Sequence, residues 1–455
     1  MNNYTCSGNG SAGVRLLPRC VLWLLVLSLS LLSHRVCAQL PAFYGEKFVR
    51  IGQSWTDVRP PAVEMVPVIE SENSGKAFQL QLDEFESKAG PYTDGLTEPL
   101  LGLGRYYSQR GDYEQALQLY RRALHIVRLN DGLNSKRQGP VVRELLDTVR
   151  LSGDLQALDD RYDYFFRLYG HGQAPYSDIR VRAALEYLRW QREALRLDID
   201  SSDSRRLLDL YTLNEDILDS SVGSISFTPE DRWNLVLGQI RNLYLLQSKV
   251  NPPIYIAGLT ANGAMQPMPG QDLGLDFDQR QLELLRRNAL RAGRAILEHY
   301  LASLEQEEEG SEPVGPAIQF KARAMLELAD WHQWNGSYFR AAEHYSDLVG
   351  MLIAADKDEL VQQWFGAPVE LPDNGAFWQS PENREGPKKI ILSANYDVSV
   401  RGRARNISAQ AQQEEDAKKV YRFKRELAAT RFRPRFENGQ AAATQGLSRE
   451  YVLYD

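Results

Sequence analysis

Cysteine is nearly missing: Cys6, Cys20 and Cys37 are the three in 455 residues, and all lie within the first 38. Beyond that segment there is no disulfide framework, no thiol nucleophile and no thiolate metal site. Histidine is sparse as well, with His125, His171, His299, His332 and His344 after residue 38, none at a metal-ligand spacing. His332 and His344 fall on helical patterns where packing is the expected role. Asp198, Asp200, Ser202 and Asp209 faintly echo a calcium loop, but Asp203 stands where that loop needs glycine and no glutamate closes it. A phosphate-cradling loop and a Gly-x-Ser-x-Gly turn are also missing. The chain therefore reads as a non-enzymatic protein with no catalytic residues, no metal and no cofactor.

Long apolar runs are scarce too. Val21 to Leu32 falls short of the roughly 20 residues that span a bilayer. Arg15 and Arg19 precede that run, and Val36-Cys37-Ala38 places small or medium residues three and one before Gln39. This order predicts a secretory signal over residues 1–38, cut after Ala38, and hence a periplasmic protein of a Gram-negative-type envelope. Val36 occupies the place where a lipid-anchor motif wants a small residue. An uncleaved leader would instead be the chain's sole link to a membrane.

The net charge of −7 hides two regions of opposite sign. Lys388 to Asp455 carries 14 Lys+Arg against 8 Asp+Glu, whereas Gln39 to Pro387 carries 36 against 52. The split predicts two units, and the acidic body argues against nucleic acid as a ligand. Residues 39–75, with Arg59-Pro60-Pro61 and Pro67, read as an extended arm.

Helical periodicity begins after the arm. Glu98 to Asp131 holds Leu103-Gly104, Tyr107, Gly111, Tyr113, Ala116, Tyr120 and Ala123 in order, and this closely resembles a tetratricopeptide repeat. Gly104 and Ala116 allow two helices to approach, and the three tyrosines fill the space between them. Gly153, Leu158, Tyr162 and Phe165 recur 42 residues later, with the excess over the usual period placed in the loop Asn130 to Arg137. A third copy holds Leu328-Ala329, Gly336, Tyr338, Ala341 and Tyr345. Between the copies, apolar stripes continue at Val181, Leu185 and Leu188, at Trp233, Leu237, Ile240 and Tyr244, and at Leu282, Leu285, Ala289, Ala292 and Ile296. Thr228-Pro229-Glu230-Asp231 is a start signal for the second stripe, and Asn251-Pro252-Pro253 is its stop. The Gly- and Pro-rich segment 252–274 is too long for an ordinary helix connection. Residues 76–365 are thus expected to form a tetratricopeptide-like array of helical hairpins, a solenoid that binds proteins or peptides in its groove.

Residues 366–387, with Asp373-Asn374-Gly375 and Pro381 to Pro387, read as a linker to a separate unit at 388–455. In that unit Leu392, Ala394, Tyr396, Val398 and Val400 alternate with polar residues as a half-buried strand. Gly402 permits a hairpin, Glu414 to Thr430 is helical, Pro434 ends the helix, Asn438-Gly439 turns, and Leu447 to Tyr454 is a last strand. The overall expectation is a mainly α protein closed by a small α+β domain of order strand, strand, helix, strand. Val400-Arg401-Gly402-Arg403-Ala404, Phe432-Arg433-Pro434 and Asn438-Gly439 give this unit a resemblance to the TonB carboxy-terminal domain. The resemblance implies a module that takes up a partner's backbone on an exposed last strand. Arg403, Arg405, Arg431, Arg433, Arg435, Arg449 and Tyr451 are then the candidate partner contacts.

The combined expectation is an exported scaffold or adaptor that binds other proteins or peptide segments, outer-membrane receptors among them. The alternative is a TonB-like energy transducer for outer-membrane transport, anchored by an uncleaved leader. Ser30 and His34 share the spacing seen in such anchors, but the chain lacks the proline-rich span that transducers carry.

Overall fold

The computed structural model describes residues 49–50, 72–197, 199, 203–249, 257–259, 265–267, 277–308, 315–379, 389–413, 417–437 and 439–454. The leader, most of the arm, and Asp198, Asp200 and Ser202 lie outside the described residues. The chain is mostly helical, with a small strand-containing region at its carboxy-terminal end.

Among the described residues twelve helices run in succession before the terminal strands: α1 (Glu72–Ala89), α2 (Thr97–Gln109), α3 (Tyr113–Asp131), α4 (Gln138–Ser152), α5 (Leu155–Leu168) and α6 (Asp178–Arg196) form the first half. The second half is α7 (Asp203–Ser221), α8 (Pro229–Lys249), α9 (Phe277–Glu308), α10 (Gly315–Trp334), α11 (Tyr338–Ala354) and α12 (Asp358–Phe365). Each helix packs against its successor, so the core is a continuous stack of local contacts. Part of the 252–274 segment forms a short antiparallel ladder between Ala257–Leu259 and Met265–Pro267. Among the described residues no helix is long and apolar enough to cross a membrane.

The turns follow from local chemistry. Gly111 and Gly153 adopt φ of 81° and 78°, a left-handed backbone that a side chain would strain. The next residue caps the following helix in both places. Asp112 accepts from the Gln115 N–H at 3.3 Å, and Asp154 accepts from the Ala157 N–H at 3.0 Å. At α8 the start signal closes reciprocally: the Thr228 N–H donates to Asp231 at 2.9 Å, and the Asp231 N–H donates to the Thr228 hydroxyl at 3.1 Å.

Ala116, Tyr120 and Ala123 in α3, Leu158, Tyr162 and Phe165 in α5, and Ala341, Tyr345 and Leu348 in α11 are buried at matching positions. Tyr107 and Tyr113 are half-buried. Gly104 bears directly on Tyr120: a β-carbon built there would sit 2.3 Å from the Tyr120 ring. Gly104→Ala is therefore expected to lower stability by up to about 2 kcal/mol, because overpacking of roughly 1–3 kcal/mol outweighs the helix-propensity gain of about 1. Gly350 in α11 has open space around that position, so Gly350→Ala should stabilise by about 0.5–1 kcal/mol. Urea unfolding of both variants checks the pair, and a stabilised Gly104→Ala would refute the close-approach role.

The terminal region begins with β1 (Val369–Glu370), followed by β2 (Lys389–Val398), β3 (Ala404–Ala411), α13 (Ala417–Ala429), β4 (Phe432–Arg433), β5 (Arg435–Glu437), β6 (Gln440–Ala442) and β7 (Thr444–Tyr454). Strands β7, β2 and β3 form an antiparallel sheet in that spatial order, and α13 packs on β3. Ile390, Leu392, Ala394, Tyr396 and Val398 alternate inward and meet Phe423, Leu427, Phe432 and Tyr451. Val400 leaves the expected strand. Ser399 accepts from the Gly402 N–H at 2.8 Å, which closes a turn and leaves Val400 half exposed. Helix α13 ends at Ala429, before Pro434, because β4 starts at Phe432. Strands β5 and β6 pair antiparallel from Glu437 with Gln440; Asn438 of the expected turn lies outside the described residues.

Candidate functional site

The unit at 388–455 is tied to the helical stack through a buried polar seam. Three residues of α10 spaced by three, Glu327, Asp330 and Gln333, supply one side of it, and all are buried. Asp330 accepts from Arg433 through both oxygens, Nε to Oδ1 at 3.0 Å and Nη2 to Oδ2 at 2.5 Å. The Tyr345 hydroxyl donates to the same Oδ1 at 2.7 Å, and Arg433 Nη1 donates to the Trp364 carbonyl at 3.2 Å. Arg433 is 2% exposed, so this two-pronged pair works in a dry setting where its geometry is well satisfied.

Gln333 reads the backbone of the terminal unit. Its Nε2 donates to the Arg401 carbonyl at 2.9 Å and to the Phe432 carbonyl at 2.8 Å. Gly402 has φ of 65°, and a β-carbon there would lie 1.9 Å from the Phe432 oxygen, so only glycine fits the crossing. The Phe432 N–H donates to the Gly402 carbonyl at 3.0 Å. The two motifs that carry the TonB resemblance, around Gly402 and Phe432, are thus in direct contact with each other and with α10.

Residues 366–379 are not a free linker. Strand β1 pairs with β4, Val369 opposite Arg433 and Glu370 opposite Phe432. Arg241 Nε donates to the Asn374 carbonyl at 2.5 Å, Asn374 Nδ2 donates to Glu327 at 2.7 Å, and Arg196 donates to the Gly375 carbonyl at 3.2 Å. Leu371, Asn374 and Ala376 are buried, so the turn-forming residues serve as a strap over the stack. Residues 380–388 lie outside the described residues.

The candidate partner contacts separate into three groups. Arg433 and Tyr451 are interior: Tyr451 is 1% exposed, its hydroxyl donates to Glu370 at 2.8 Å, and it shares a 2.7 Å hydrogen bond with the Tyr396 hydroxyl. Both are corrected to internal roles, since neither can face a partner without unfolding the seam. Arg449, Arg435, Arg403 and Arg431 are half-buried and engaged: Arg449 donates to the Pro368 carbonyl at 2.6 Å, and Arg435 to Glu437 at 3.0 Å. The guanidinium groups of Arg403 and Arg431 both lie over the Tyr338 ring, 5.5 and 5.7 Å from its centre. Tyr338, expected as a repeat-packing residue, is instead a cation platform for the terminal unit. Arg405 alone of the set is exposed.

What remains open is a strand edge. Strand β7 pairs with β2 from Thr444 to Tyr454, with a bulge between Thr444 and Leu447, and no strand covers its other side among the described residues. Such an edge carries a row of outward N–H and C=O groups able to pair with a foreign strand. The docking residues Glu327, Asp330, Gln333 and Glu370 were not singled out in the sequence. The available signal was the row of polar residues at spacing three, Glu327, Asp330 and Gln333, interleaved with the apolar residues of the second half of α10. The chain matches no known protein-family model and no curated protein.

Proposed function

We propose that the protein is a non-catalytic scaffold of the cell envelope, in which a tetratricopeptide-like helical array holds a small TonB-like domain whose last strand receives an extended segment of another protein. The observation that carries this reading is the one-sided pairing of β7, eleven residues long. The local helix-on-helix contacts and the Gly-Asp turns support the repeat reading. The sheet order, with the last strand β7 beside β2, supports the terminal one.

Backbone pairing alone is insufficient. Four or five new hydrogen bonds at about 1 kcal/mol net give about 5 kcal/mol, against the roughly 8 that micromolar affinity requires. Side chains that flank β7 supply the difference, so the partner segment is expected to be extended.

Photo-crosslinking residues placed singly at the exposed Ser448 and Glu450 of β7, and at the exposed Arg182 of α6 as a control, test the edge. Both β7 positions should capture a partner protein in cells and the control should not. Equal yields at the control, or crosslinks only within the chain, would count against strand uptake. Amino-terminal sequencing of the exported protein complements this: a start at Gln39 fits a scaffold, and a retained Met1 in the membrane fraction fits an anchored energy transducer.

A further inference from the structure

Helices α9 and α10 and the start of α11 enclose a cleft of about 250 Å³ that is separate from the terminal sheet. Its wall carries Arg287, Arg291 and Arg294 of α9, His332 of α10, and Ser337 and Arg340 at the start of α11. The three α9 arginines step by four and three, which puts them on one helix face. Among the described residues, no acidic one lines the cleft. Arg287 is held by Glu283 at 2.8 Å, and Arg294 approaches Glu298 at 3.5 Å. Arg291 and Arg340 have no ion-pair partner among the described residues.

His332 adds a second, independent sign of an unfilled requirement. It is 1% exposed and stacks on His344 with ring centres 5.2 Å apart, yet neither ring nitrogen has a hydrogen-bond partner among the described residues. Burial, then the positive neighbours His344, Arg340 and Arg294, push its pKa down to about 4, so it is a neutral ring with one N–H to donate. A buried donor with no acceptor costs about 1–3 kcal/mol, and such a group in a native fold calls for an explanation. The Ser337 side chain, at the cap position of α11, makes no cap hydrogen bond either. Its hydroxyl and the first N–H groups of α11 add donors at the same mouth.

We propose that this cleft binds a phosphate dianion, free or as a small monoester. Arg291 and Arg340, which have no ion-pair partner among the described residues, stand beside the paired Arg287 and Arg294, and this concentration of positive charge exceeds what a single carboxylate balances. A tetrahedral dianion offers enough acceptor oxygens for several arginine forks and the His332 N–H together. A long polyanion is disfavoured because Gln39 to Pro387 is strongly acidic as a whole, with 36 basic residues against 52 acidic. The cleft's volume leaves room for a small organic group beyond the phosphate itself.

Isothermal titration of the full chain with inorganic phosphate, at constant ionic strength set by chloride, tests the site. Saturable one-to-one binding is expected, weakened at least about tenfold in Arg291→Ala/Arg340→Ala. Arg291→Lys/Arg340→Lys should fall between, since it keeps the charge and loses the fork. Arg182→Ala, on the exposed face of α6, should leave binding unchanged, and unaltered helical circular dichroism shows that each variant is folded. Glycerol 3-phosphate, titrated in parallel, separates the sources: tighter binding than phosphate identifies an ester as the ligand, and weaker binding identifies the free ion. Lack of saturation by inorganic phosphate, or equal affinity in the wild type and the double alanine variant, overturns the proposal.

Discussion

Arg433→Ala is expected to destabilise the protein by about 3–5 kcal/mol, the range for removing one partner of a fully buried, hydrogen-bonded ion pair. Asp330, 3% exposed, would be left with the Tyr345 hydroxyl as its remaining hydrogen-bond donor, and the Trp364 carbonyl would lose the Arg433 donor. Surface pairs on the same chain, such as Arg182 with Asp178 or Arg422 with Glu426, are each worth about 0.3–0.5 kcal/mol and cannot compensate. The loss should also be local in origin. Arg433 bridges the sheet unit to α10, so hydrogen exchange should accelerate in β2, β3 and β7 while amides of α2 to α5 keep their protection. A double-mutant cycle with Asp330→Ala should return a coupling of about 2 kcal/mol or more, and strict additivity would show that the pair does not hold the seam. Replacing both by apolar residues, Asp330→Leu/Arg433→Met, should recover much of the stability. Full recovery requires Tyr345→Phe, because the tyrosine hydroxyl otherwise becomes the new orphan.

This seam also explains which parts of the molecule could be read from residues alone. The helix boundaries at Gly111-Asp112, Gly153-Asp154 and Thr228 to Asp231 depend on neighbours in sequence, so the chemistry that makes them is visible in sequence. The inward row Leu392, Ala394, Tyr396 and Val398 is legible for the same reason, as a period-two pattern ended by a glycine turn. Arg433 is different. An arginine between a helix and a strand looks like a surface or ligand contact, and its actual partner is 103 positions away on α10. Asn374 misleads in a parallel way: its turn chemistry is plain, but whether that turn floats in solvent or straps down a helix depends on Glu327 and Arg241. The basic cleft was half legible. The spacing of Arg287, Arg291 and Arg294 marks one face of α9, while the contribution of His332 and Arg340 exists only once α9, α10 and α11 are packed together.

The same α10 face makes stability depend on pH in an unusual direction. Burial, then the neighbouring Asp330 carboxylate, raise the Glu327 pKa from an ordinary 4.5 to about 8, against the opposing pull of the Asn374 hydrogen bond and of Arg241 and Arg433. Between those values the folded chain holds a proton that the unfolded chain has released, so stability must fall as pH rises across that window. The contribution of Glu327 is therefore most favourable below about pH 4.5, declines through neutrality, and levels off once pH passes about 8. Each unit of displacement corresponds to about 1.4 kcal/mol, so a total of a few kcal/mol is at stake. Glu327→Gln retains an oxygen to accept from Asn374 Nδ2 and has no proton to lose. It should match the wild type at pH 5 and exceed it by about 1–3 kcal/mol at pH 8.5, provided the seam is otherwise unchanged. Urea unfolding at the two pH values isolates this term, since every other titrating group is common to both proteins. Parallel pH profiles for the two would mean that Glu327 is ionised in the fold and that the strap at Asn374 is held by other contacts.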